Sequence, residues 1–413
     1  MSAPLVSVVM GTYNHASFVA ESIQSVLAQD FHDFEFLIAD DGSSDATPHV
    51  VASQSDPRID FRPNAVNQGA AIVLNDLLQR ARGRYVAVIN SDDAWYPGKL
   101  AEQVAYLEEN PAVGATFGRV NFVDRDGGPI SKDTLGFGYV FDQPNRTRGE
   151  WLNQFFWHGN CLCHPSVLIR RDVYEKVGLY DNRYRQLPDL DMWIRVVKVT
   201  DIHVSESTMV RFRIMPGENT SSDTYTNRVR TLNEHFFIAM EFFDGVSYEL
   251  LRQGFGDHLR KPQLSPDLSS EIEKAFLFQH KVLSLDHVYK IISLMKLRNL
   301  LACPTTRSVL AQHYDFDDKT FQCLSAETDG LQRVMLEVSN ASAVTAGADA
   351  QLGRDVDAVS TRELGKIIRR RLMTRARMVM KQYNLPFSHW IGGTGAGAFQ
   401  ADRRPDFVTS ADV

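Results

Sequence analysis

Polar and acidic residues follow each of three apolar runs in the first hundred positions of the chain. They are Thr12, Tyr13 and Asn14 after the first run, Asp40 and Asp41 after the second, and Asn90, Ser91, Asp92 and Asp93 after the third. Carboxylates of this kind can hold a divalent metal ion, which acts as a Lewis acid on a departing diphosphate. We predict metal binding by Asp92 and Asp93, with ordinary turn formation as the alternative for each cluster taken alone.

A second acidic pair, Asp189 and Asp191, stands at the predicted start of a helix. A carboxylate in that position can accept the proton of an attacking hydroxyl as a general base, a role worth roughly 10²–10⁴-fold in rate. Asp189 is the preferred candidate because its carboxylate can face a cleft. Asp191 can instead pair with Arg195 one turn later or stabilise the helix dipole. Taken alone, both acids are also explained as ordinary residues of a helix N-terminus.

The alternation of apolar runs with helical patterns predicts the elements that position these side chains. Strands are predicted at 5–10, 34–39, 59–62 and 85–89, and helices at 16–29, 45–55, 70–81, 189–199 and from Pro97 onward. This order is typical of an α/β fold whose mostly parallel sheet is covered by helices on both faces, followed here by an α-helical C-terminal region. Because ligands bind beyond the carboxyl ends of such strands, we expect the polar clusters to meet at one edge.

The composition is that of a globular protein with more than one unit. The chain has 413 residues, of which 44% are hydrophobic and 23% charged, and its net charge is -7. This acidic balance argues against nucleic-acid binding, which leaves a basic footprint. The four cysteines lack zinc-site spacing. Neither a signal peptide nor a run of roughly 18–20 apolar residues is found, so we expect a cytoplasmic protein.

Seven sequence strings, in order along the chain, carry a resemblance to a known family. They are SVVMGTYNH, IADDGSSDAT, NQGAA, VINSDDAWYPGKL, HPSVLIRRDVYEKVGLYD, LPDLDMWIR and FRIMPGENTS. Over residues 5–222 the chain resembles a family-2 glycosyltransferase of the GT-A (Rossmann-like) fold. Such enzymes transfer a sugar from a nucleoside-diphosphate sugar, usually with inversion and without a covalent glycosyl-enzyme.

The resemblance implies a role for each matching position. The positions it implies for the nucleotide sugar are Thr12, Tyr13, Asn14, Asp40, Asp41, Asn67, Gly69, Asn90, Ser91 and Asp92. It implies metal binding at Asp92, with Asp93 adjacent, and a general base at Asp189.

The stretch around residue 160 matches a part of the family that lies near the acceptor. His158, Asn160 and His164 can therefore contact acceptor hydroxyls, and a structural role is equally open for each. Trp193 can stack on a sugar, although packing in the core explains a tryptophan at this position better.

The chain departs from the family pattern at three positions, two of which weaken the predicted metal site. Asn90 stands where the metal-binding motif has its first acid, Pro188 where a Glu often precedes the base, and Met215 where a His often lies near the metal. Thioether sulfur is a poor ligand for a hard ion. We therefore expect a divalent cofactor, Mn²⁺ or Mg²⁺, held by Asp92 with phosphates and water.

The predicted organisation has five segments. They are a GT-A catalytic domain at 1–245, a helical module at 246–338, a flexible linker at 339–360, a basic amphipathic helix at 361–390 and a disordered tail at 391–413. Basic residues flank an apolar stripe within 361–383, which is typical of a helix on the inner face of an anionic membrane. A helix packed on the domain is the alternative.

The main hypothesis is sugar transfer from a UDP- or dTDP-linked donor to a glycan or lipid-linked acceptor during assembly of a bacterial surface polysaccharide. The alternative is a non-catalytic scaffold that binds a nucleotide sugar or a glycan, motivated by Asn90, Pro188 and Met215. A sugar nucleotidyltransferase is disfavoured because GTYNH offers no cations to grip a triphosphate.

Overall fold

The computed structural model describes residues 3–220, 222–282 and 285–329, which belong to one compact unit. The predicted linker at 339–360, the basic helix at 361–390 and the tail at 391–413 lie outside the described residues. In the described part of the chain, no helix is long and apolar enough to cross a bilayer.

Strands and helices alternate through the first part of the chain, and the described residues from 225 to 329 form helices and their connections. The strands are β1 (Val6–Thr12), β2 (Phe34–Asp40), β3 (Ile59–Pro63), β4 (Tyr85–Val88), β5 (Ala94–Trp95), β6 (Val113–Val123), β7 (Pro129–Ile130), β8 (Leu168–Arg170) and β9 (Asp201–Arg213). The α-helices are α1 (Val19–Leu27), α2 (Thr47–Ala52), α3 (Ala70–Arg80), α4 (Lys99–Glu109), α5 (Arg148–His158), α6 (Arg171–Val177), α7 (Pro188–Val199), α8 (Tyr225–Glu241), α9 (Tyr248–Phe255), α10 (Pro266–Leu277), α11 (Asp286–Ala302), α12 (Pro304–Tyr314) and α13 (Asp318–Glu327).

One mixed sheet holds the strands in the order β3-β2-β1-β4-β8-β6-β9-β5, with β7 paired to β6. The first four strands of this order are parallel, as the sequence predicts, and Thr12 at the end of β1 is level with Asp40 at the end of β2. β8 is antiparallel to both β4 and β6, and β5 is antiparallel to β9. The predicted α/β fold with a helical C-terminal region is confirmed, whereas the parallel arrangement is limited to part of the sheet.

Helices cover both faces of the parallel strands and bury a separate core on each. Val19, Ile23 and Val26 of α1 pack with Val8 and Met10 on one face. On the other face, α3 packs with β1 and β2, through side chains that include Val73, Leu77, Val9 and Leu37. Strands covered on both faces read as near-continuous apolar runs, which is why the sequence pattern located them.

Phe156 on α5 lies at the centre of an aromatic cluster that joins the sheet-bearing part to the later helices. Its ring lies 5.1–5.4 Å from the ring centroids of Phe242, Phe243, Phe255 and Phe278. α9, α10 and α11 therefore share a core with α5, across the predicted boundary at residue 246.

We expect Phe156→Ala to lower the free energy of unfolding by about 3–5 kcal/mol, because it leaves a cavity among rings that cannot close over it. Phe156 is fully buried. Urea unfolding of the variant measures this. A loss below about 1 kcal/mol would mean that the cluster collapses readily or contributes little to the fold.

Candidate active site

Hydrogen bonds fix the loop that follows β2 and connect it to the loop that follows β1. Asp40 accepts bonds from the Ser43 amide at 2.9 Å and from the Ser43 hydroxyl at 2.5 Å. Asn14, in the left-handed region at φ 53°, accepts a bond of 2.8 Å from the Ser44 amide. Asp40 is buried, so its carboxylate shapes the loop after β2.

Asp41 holds a second loop, the one before α3, against the end of β2. Its two carboxylate oxygens accept bonds of 2.8 Å from the amides of Gln68 and Gly69. Gly42 lets this loop approach, because a Cβ at Gly42 would lie 2.7 Å from the Asn67 nitrogen. Asn67 itself is exposed. Asp41 thus fixes the backbone of the loop in which the sequence places Asn67 and Gly69.

A cleft of about 380 Å³ opens beside the end of β1. Its lining includes Tyr13, Asn14, His15, Met215 and Glu218. The cleft lies at the carboxyl edge of the parallel strands, where such sheets bind ligands. A larger cavity, of about 630 Å³, lies at the opposite, amino-terminal edge of the same strands and is remote from the acidic cluster.

At this edge, Thr12 has an unpaired hydroxyl and Tyr13 has an exposed side chain. The Thr12 side chain is buried, and among the described residues its Oγ1 has no hydrogen-bond partner. Buried hydroxyls are normally paired, so a partner outside the described protein atoms is expected. The Tyr13 ring is 46% exposed and is available for contact with a ligand.

Asp92 is the accessible acid of the pair that follows β4. It is half-buried, and its Oδ2 accepts a bond of 3.2 Å from Asn219 Nδ2. Burial raises the pKa of the Asp92 carboxyl, while the nearby His15 and Arg213 act in the opposite direction. Arg213 also donates from Nε to the Asp92 carbonyl at 2.9 Å, which fixes the backbone beneath the carboxylate.

The prediction that Asp93 binds a metal is wrong. Asp93 is 2% exposed, and its carboxylate accepts bonds from Asn90 Nδ2 at 2.9 Å and from the Arg213 amide at 2.8 Å. The turn after β4 directs this carboxylate into the protein, where burial and then the charge of Asp92 raise its pKa well above the usual range.

Asn90 and Ser91 make hydrogen bonds to other residues of the site. Asn90 uses its amide group to hold Asp93, and Ser91 is buried with its Oγ 2.7 Å from His15 Nδ1. Ser91 therefore orients His15, whose ring lies at the cleft beside Asp92.

The donor set around Asp92 fits a metal ion held jointly with a phosphate ligand. No group of three or more His, Cys, Asp or Glu side chains in the described residues is arranged to hold a metal. Mg²⁺-like ions are commonly bound by one or two carboxylates together with substrate phosphates and water. Asp92 matches that mode, and Met215 is buried and offers only sulfur.

Asp189 lies in the first turn of α7, as predicted. Its Oδ2 accepts a bond of 2.6 Å from Asn160 Nδ2, and its Oδ1 accepts one of 2.8 Å from the Leu190 amide. Burial raises the pKa of Asp189 to about 6, against the opposing hydrogen bonds and with a smaller contribution from the charge of Glu234. A carboxylate with such a pKa is well suited to accept a proton near neutral pH.

Asp191, the second candidate base, is occupied by an ion pair. Its Oδ2 lies 2.6 Å from Arg195 Nη2, one turn later on α7. Arg195 in turn donates to the carbonyls of Val177 and Leu179. Asp191 therefore anchors α7 to the preceding segment, and Asp189 is left as the better candidate for the base.

Asp92 and the segment that leads to Asp189 both contact the loop that follows β9. Asn219 contacts Asp92, and the carbonyl of the next residue, Thr220, accepts a bond of 3.1 Å from Gln186 Nε2. Gln186 lies three positions before Asp189. The two acids, about a hundred positions apart in sequence, are thus brought to one side of the protein.

The segment between α5 and β8 makes a second connection between the two acidic regions. Asn160, at one end, contacts Asp189, and the Pro165 carbonyl accepts a bond of 2.9 Å from Trp95 Nε1. Trp95 lies two residues after Asp93. The same segment therefore passes from the predicted base to the turn that carries Asp92.

The residues predicted to contact an acceptor lie in different environments. His158 is exposed, and Asn160 orients Asp189. His164 Nε2 lies 2.8 Å from the Tyr180 hydroxyl, and burial lowers the pKa of His164 to about 4. The proposal that Trp193 stacks on a sugar is wrong, because Trp193 is 1% exposed and packs edge-on against a core phenylalanine.

Four residues of the site were not singled out from the sequence. His15 ends the string SVVMGTYNH, while Arg213 and Asn219 stand within FRIMPGENTS, so the motifs already contained them. Glu234 lies on α8, outside all seven sequence strings, and no local sequence pattern indicates a role for it.

The sequence comparisons agree with the geometry of this edge. The family model for glycosyl transferase family 2 matches residues 7–178. A Bacillus subtilis protein, TuaG, whose name assigns it to teichuronic acid biosynthesis as a glycosyltransferase, is 32% identical over 199 residues, or 47% of this chain and 73% of the relative. The chain belongs to glycosyltransferase family 2. It is a glycosyltransferase, and the prediction of an enzyme of this class is confirmed.

Other relatives of this family-2 glycosyltransferase come from bacteria and archaea. EpsE of Bacillus subtilis, also named as a glycosyltransferase, is 31% identical over 202 residues, or 47% of this chain and 67% of EpsE. The uncharacterized glycosyltransferase MJ1057 of Methanocaldococcus jannaschii is 28% identical over 261 residues, or 60% of this chain and 85% of the relative. These matches are consistent with a catalytic region in the first part of the chain.

Proposed function

We propose that this family-2 glycosyltransferase transfers a sugar, with inversion, from a nucleoside-diphosphate sugar to a hydroxyl of a glycan or lipid-linked acceptor. The observation that carries the proposal is that the half-buried Asp92 and the segment leading to the half-buried Asp189 contact one loop. Assembly of a bacterial surface polysaccharide is the proposed setting, and the name of the relative TuaG supports it.

The nucleotide is proposed to bind at the edge formed by β1 and β2. The unpaired Thr12 hydroxyl can hydrogen-bond to the nucleotide, and the exposed Tyr13 ring offers an aromatic surface for stacking. Asp40 and Asp41 set the two loops beside this contact by holding their amides. A UDP- or dTDP-linked donor is the class that the resemblance of the sequence favours.

Asp92 is proposed to hold a divalent ion, Mn²⁺ or Mg²⁺, together with the donor diphosphate. When bound, such an ion stabilises the negative charge of the leaving diphosphate. The chain's own contribution is to keep Asp92 fixed through Arg213 and Asn219 while Asp93 is withdrawn.

Asp189 is proposed to act as the general base. The acceptor oxygen forms a bond to the anomeric carbon as the bond from that carbon to the diphosphate oxygen breaks. The acceptor proton passes to the Asp189 carboxylate, and the diphosphate leaves with the bonding electron pair. Asn160 holds the carboxylate at 2.6 Å, which limits its rotation before the proton arrives.

Incubation with a panel of UDP-, dTDP- and GDP-linked sugars, with and without Mn²⁺, tests the function. Release of nucleoside diphosphate from at least one donor is expected, because water can replace a missing acceptor slowly. Binding of a donor without any release, even with extracts containing lipid-linked glycans, would instead support the alternative of a non-catalytic scaffold. Membrane contact through 361–383 stays a prediction, since that segment lies outside the described residues.

The rate of transfer is expected to rise with pH through about 6 and then to remain constant. A general base works in its ionised form, and burial raises the pKa of Asp189 to about 6, so protonation below that value removes the base. A profile of kcat between about pH 4.5 and 8 measures this. The acid limb of this profile is the pH range in which kcat falls as the pH decreases. An acid limb centred near pH 4, the pKa of an ordinary carboxyl, would contradict the assignment.

A further inference from the structure

Glu234 on α8 is a buried acid that lies outside every motif of the sequence. Its side chain is 3% exposed. Its Oε1 accepts a bond of 2.9 Å from the Arg185 amide, and its Oε2 accepts bonds of 2.8 Å from the amides of Gln186 and Leu187. One carboxylate therefore binds three consecutive backbone N–H groups.

These three amides lead directly into α7, the helix that carries Asp189. Leu187 is the N-cap of α7 and contributes no side-chain cap, and Pro188 occupies the first turn. Exposed N–H groups at a helix start favour a negative charge nearby. Glu234 supplies that charge from a different helix, so the start of α7 depends on a residue 47 positions away.

A second contact from α8 strengthens the same attachment. Asn227 lies seven positions before Glu234, two turns along the same face of α8, and its Oδ1 accepts a bond of 3.2 Å from Gln186 Nε2. Gln186 is therefore held at its backbone by Glu234 and at its side chain by Asn227. The Asn227 amide also donates to the carbonyls of Thr220 and Ser222, so α8 holds the loop after β9 as well.

We propose that Glu234 is a positioning residue for the general base. Its carboxylate fixes the segment 185–187 and thereby holds Asp189 in register with Asn160. The inference rests on the proposed function, because it requires Asp189 to act as the base. Charge-assisted hydrogen bonds to a buried carboxylate are strong. A glutamine at this position would place its NH₂ group against backbone N–H groups, so at least one of these donors would lose its acceptor.

Glu234 also contributes to the electrostatic environment of the base. Burial is the main reason for the raised pKa of Asp189, and the negative charge of Glu234 adds to it. Tyr180, in the segment before α7, interacts with Asp189, and Asp191 is paired with Arg195 on the same helix. The ring of His235 lies close to Gly159, the residue before Asn160. Burial lowers the pKa of His235 to about 4, so it is neutral when Asp189 titrates.

Replacement of Glu234 by Gln tests the proposal through kcat, KM and the pH profile. We expect kcat to fall at least about tenfold, the donor KM to stay within about twofold, and the acid limb of kcat to move to lower pH. The limb moves down because loss of a negative charge makes Asp189 easier to ionise. A residue needed only for folding would lower the amount of folded enzyme without moving the limb.

Two variants of α8 provide controls. Glu241→Gln makes the same change at an exposed position of the helix and should leave kcat and the limb unchanged. Asn227→Ala removes the contacts with Gln186 and with the loop carbonyls of Thr220 and Ser222 without removing a charge, so it should lower kcat and leave the limb in place. If Glu234→Gln does not fold, Glu234→Asp keeps the charge but shortens the reach, and kcat should again fall about tenfold with the limb unmoved.

Wild-type kcat and an unmoved limb in folded Glu234→Gln, or wild-type kcat in folded Glu234→Asp, overturn the inference. Asp189→Asn, measured in parallel, separates this failure from failure of the proposed function. If Asp189→Asn transfers sugar normally, the base assignment is wrong whatever Glu234 does. If Asp189→Asn is inactive while the Glu234 variants behave as wild type, only the positioning role is rejected.

Discussion

Replacing Asp189 with Asn is expected to lower kcat for sugar transfer by roughly 10²–10⁴-fold while donor binding is retained. An amide has nearly the shape of the carboxylate but cannot accept the acceptor proton. The Leu190 amide can still donate to the Asn oxygen, so the start of α7 should persist. Transfer is measured by product formation, and donor affinity by calorimetry with a nucleoside diphosphate and Mn²⁺.

Asp191→Asn is the matched control, because it lies on the same turn of α7 and makes the same chemical change. It removes the ion pair with Arg195, which is partly exposed, so the expected loss is about 0–1 kcal/mol of stability and little activity. Normal transfer by Asp189→Asn together with inactivity of Asp191→Asn would move the base to Asp191.

Replacing Asp92 with Asn is expected to lower turnover by about 10²–10³-fold and to weaken Mn²⁺-dependent binding of the nucleoside diphosphate. The carboxylate is the accessible anionic ligand of the pair, and a metal at the leaving diphosphate contributes several kcal/mol of charge stabilisation. The neutral amide keeps the oxygen but loses the charge. Because Arg213 holds the Asp92 backbone carbonyl, the fold should remain intact.

Asp93→Asn separates the two adjacent acids. Asp93 is turned towards Asn90 and the Arg213 amide, so its replacement should lower the free energy of unfolding and leave the affinity for Mn²⁺ close to that of the wild type. Mn²⁺ titration of both variants in the presence of UDP measures the difference. Equal loss of Mn²⁺ affinity in the two variants would restore Asp93 as a metal ligand.

The sequence located the parallel strands and their polar ends because both signals are local. Buried strands such as β1 and β2 are nearly continuous apolar runs; Asp40 ends β2, and Asp92 lies four positions after the end of β4. Asp189 was predicted at the start of a helix, and α7 indeed begins one residue earlier. Parallel strands in order bring their carboxyl ends to one edge, so this half of the site follows from the pattern.

Other features of the site depend on contacts between residues that are far apart in the sequence, and local patterns do not predict these contacts. Asp92 and Asp93 are chemically identical neighbours, and the contact of Asp93 with the Arg213 amide, 120 positions later, is one that the local sequence does not reveal. Likewise, the sequence left open whether Trp193 contacts a sugar, and in the structure its ring packs edge-on against Phe117 in the core. Glu234 gave no signal, because a lone acid on a helix is ordinarily a solvated residue.

The most direct test of the central claim is to follow a nucleotide sugar by proton NMR as the wild-type enzyme acts on it with Mn²⁺ present. Loss of the donor's anomeric signal, with early appearance of a sugar of the opposite anomeric configuration, is the predicted result. Persistence of the bound donor without conversion, or first formation of the same anomer, would contradict direct displacement assisted by Asp92 and Asp189.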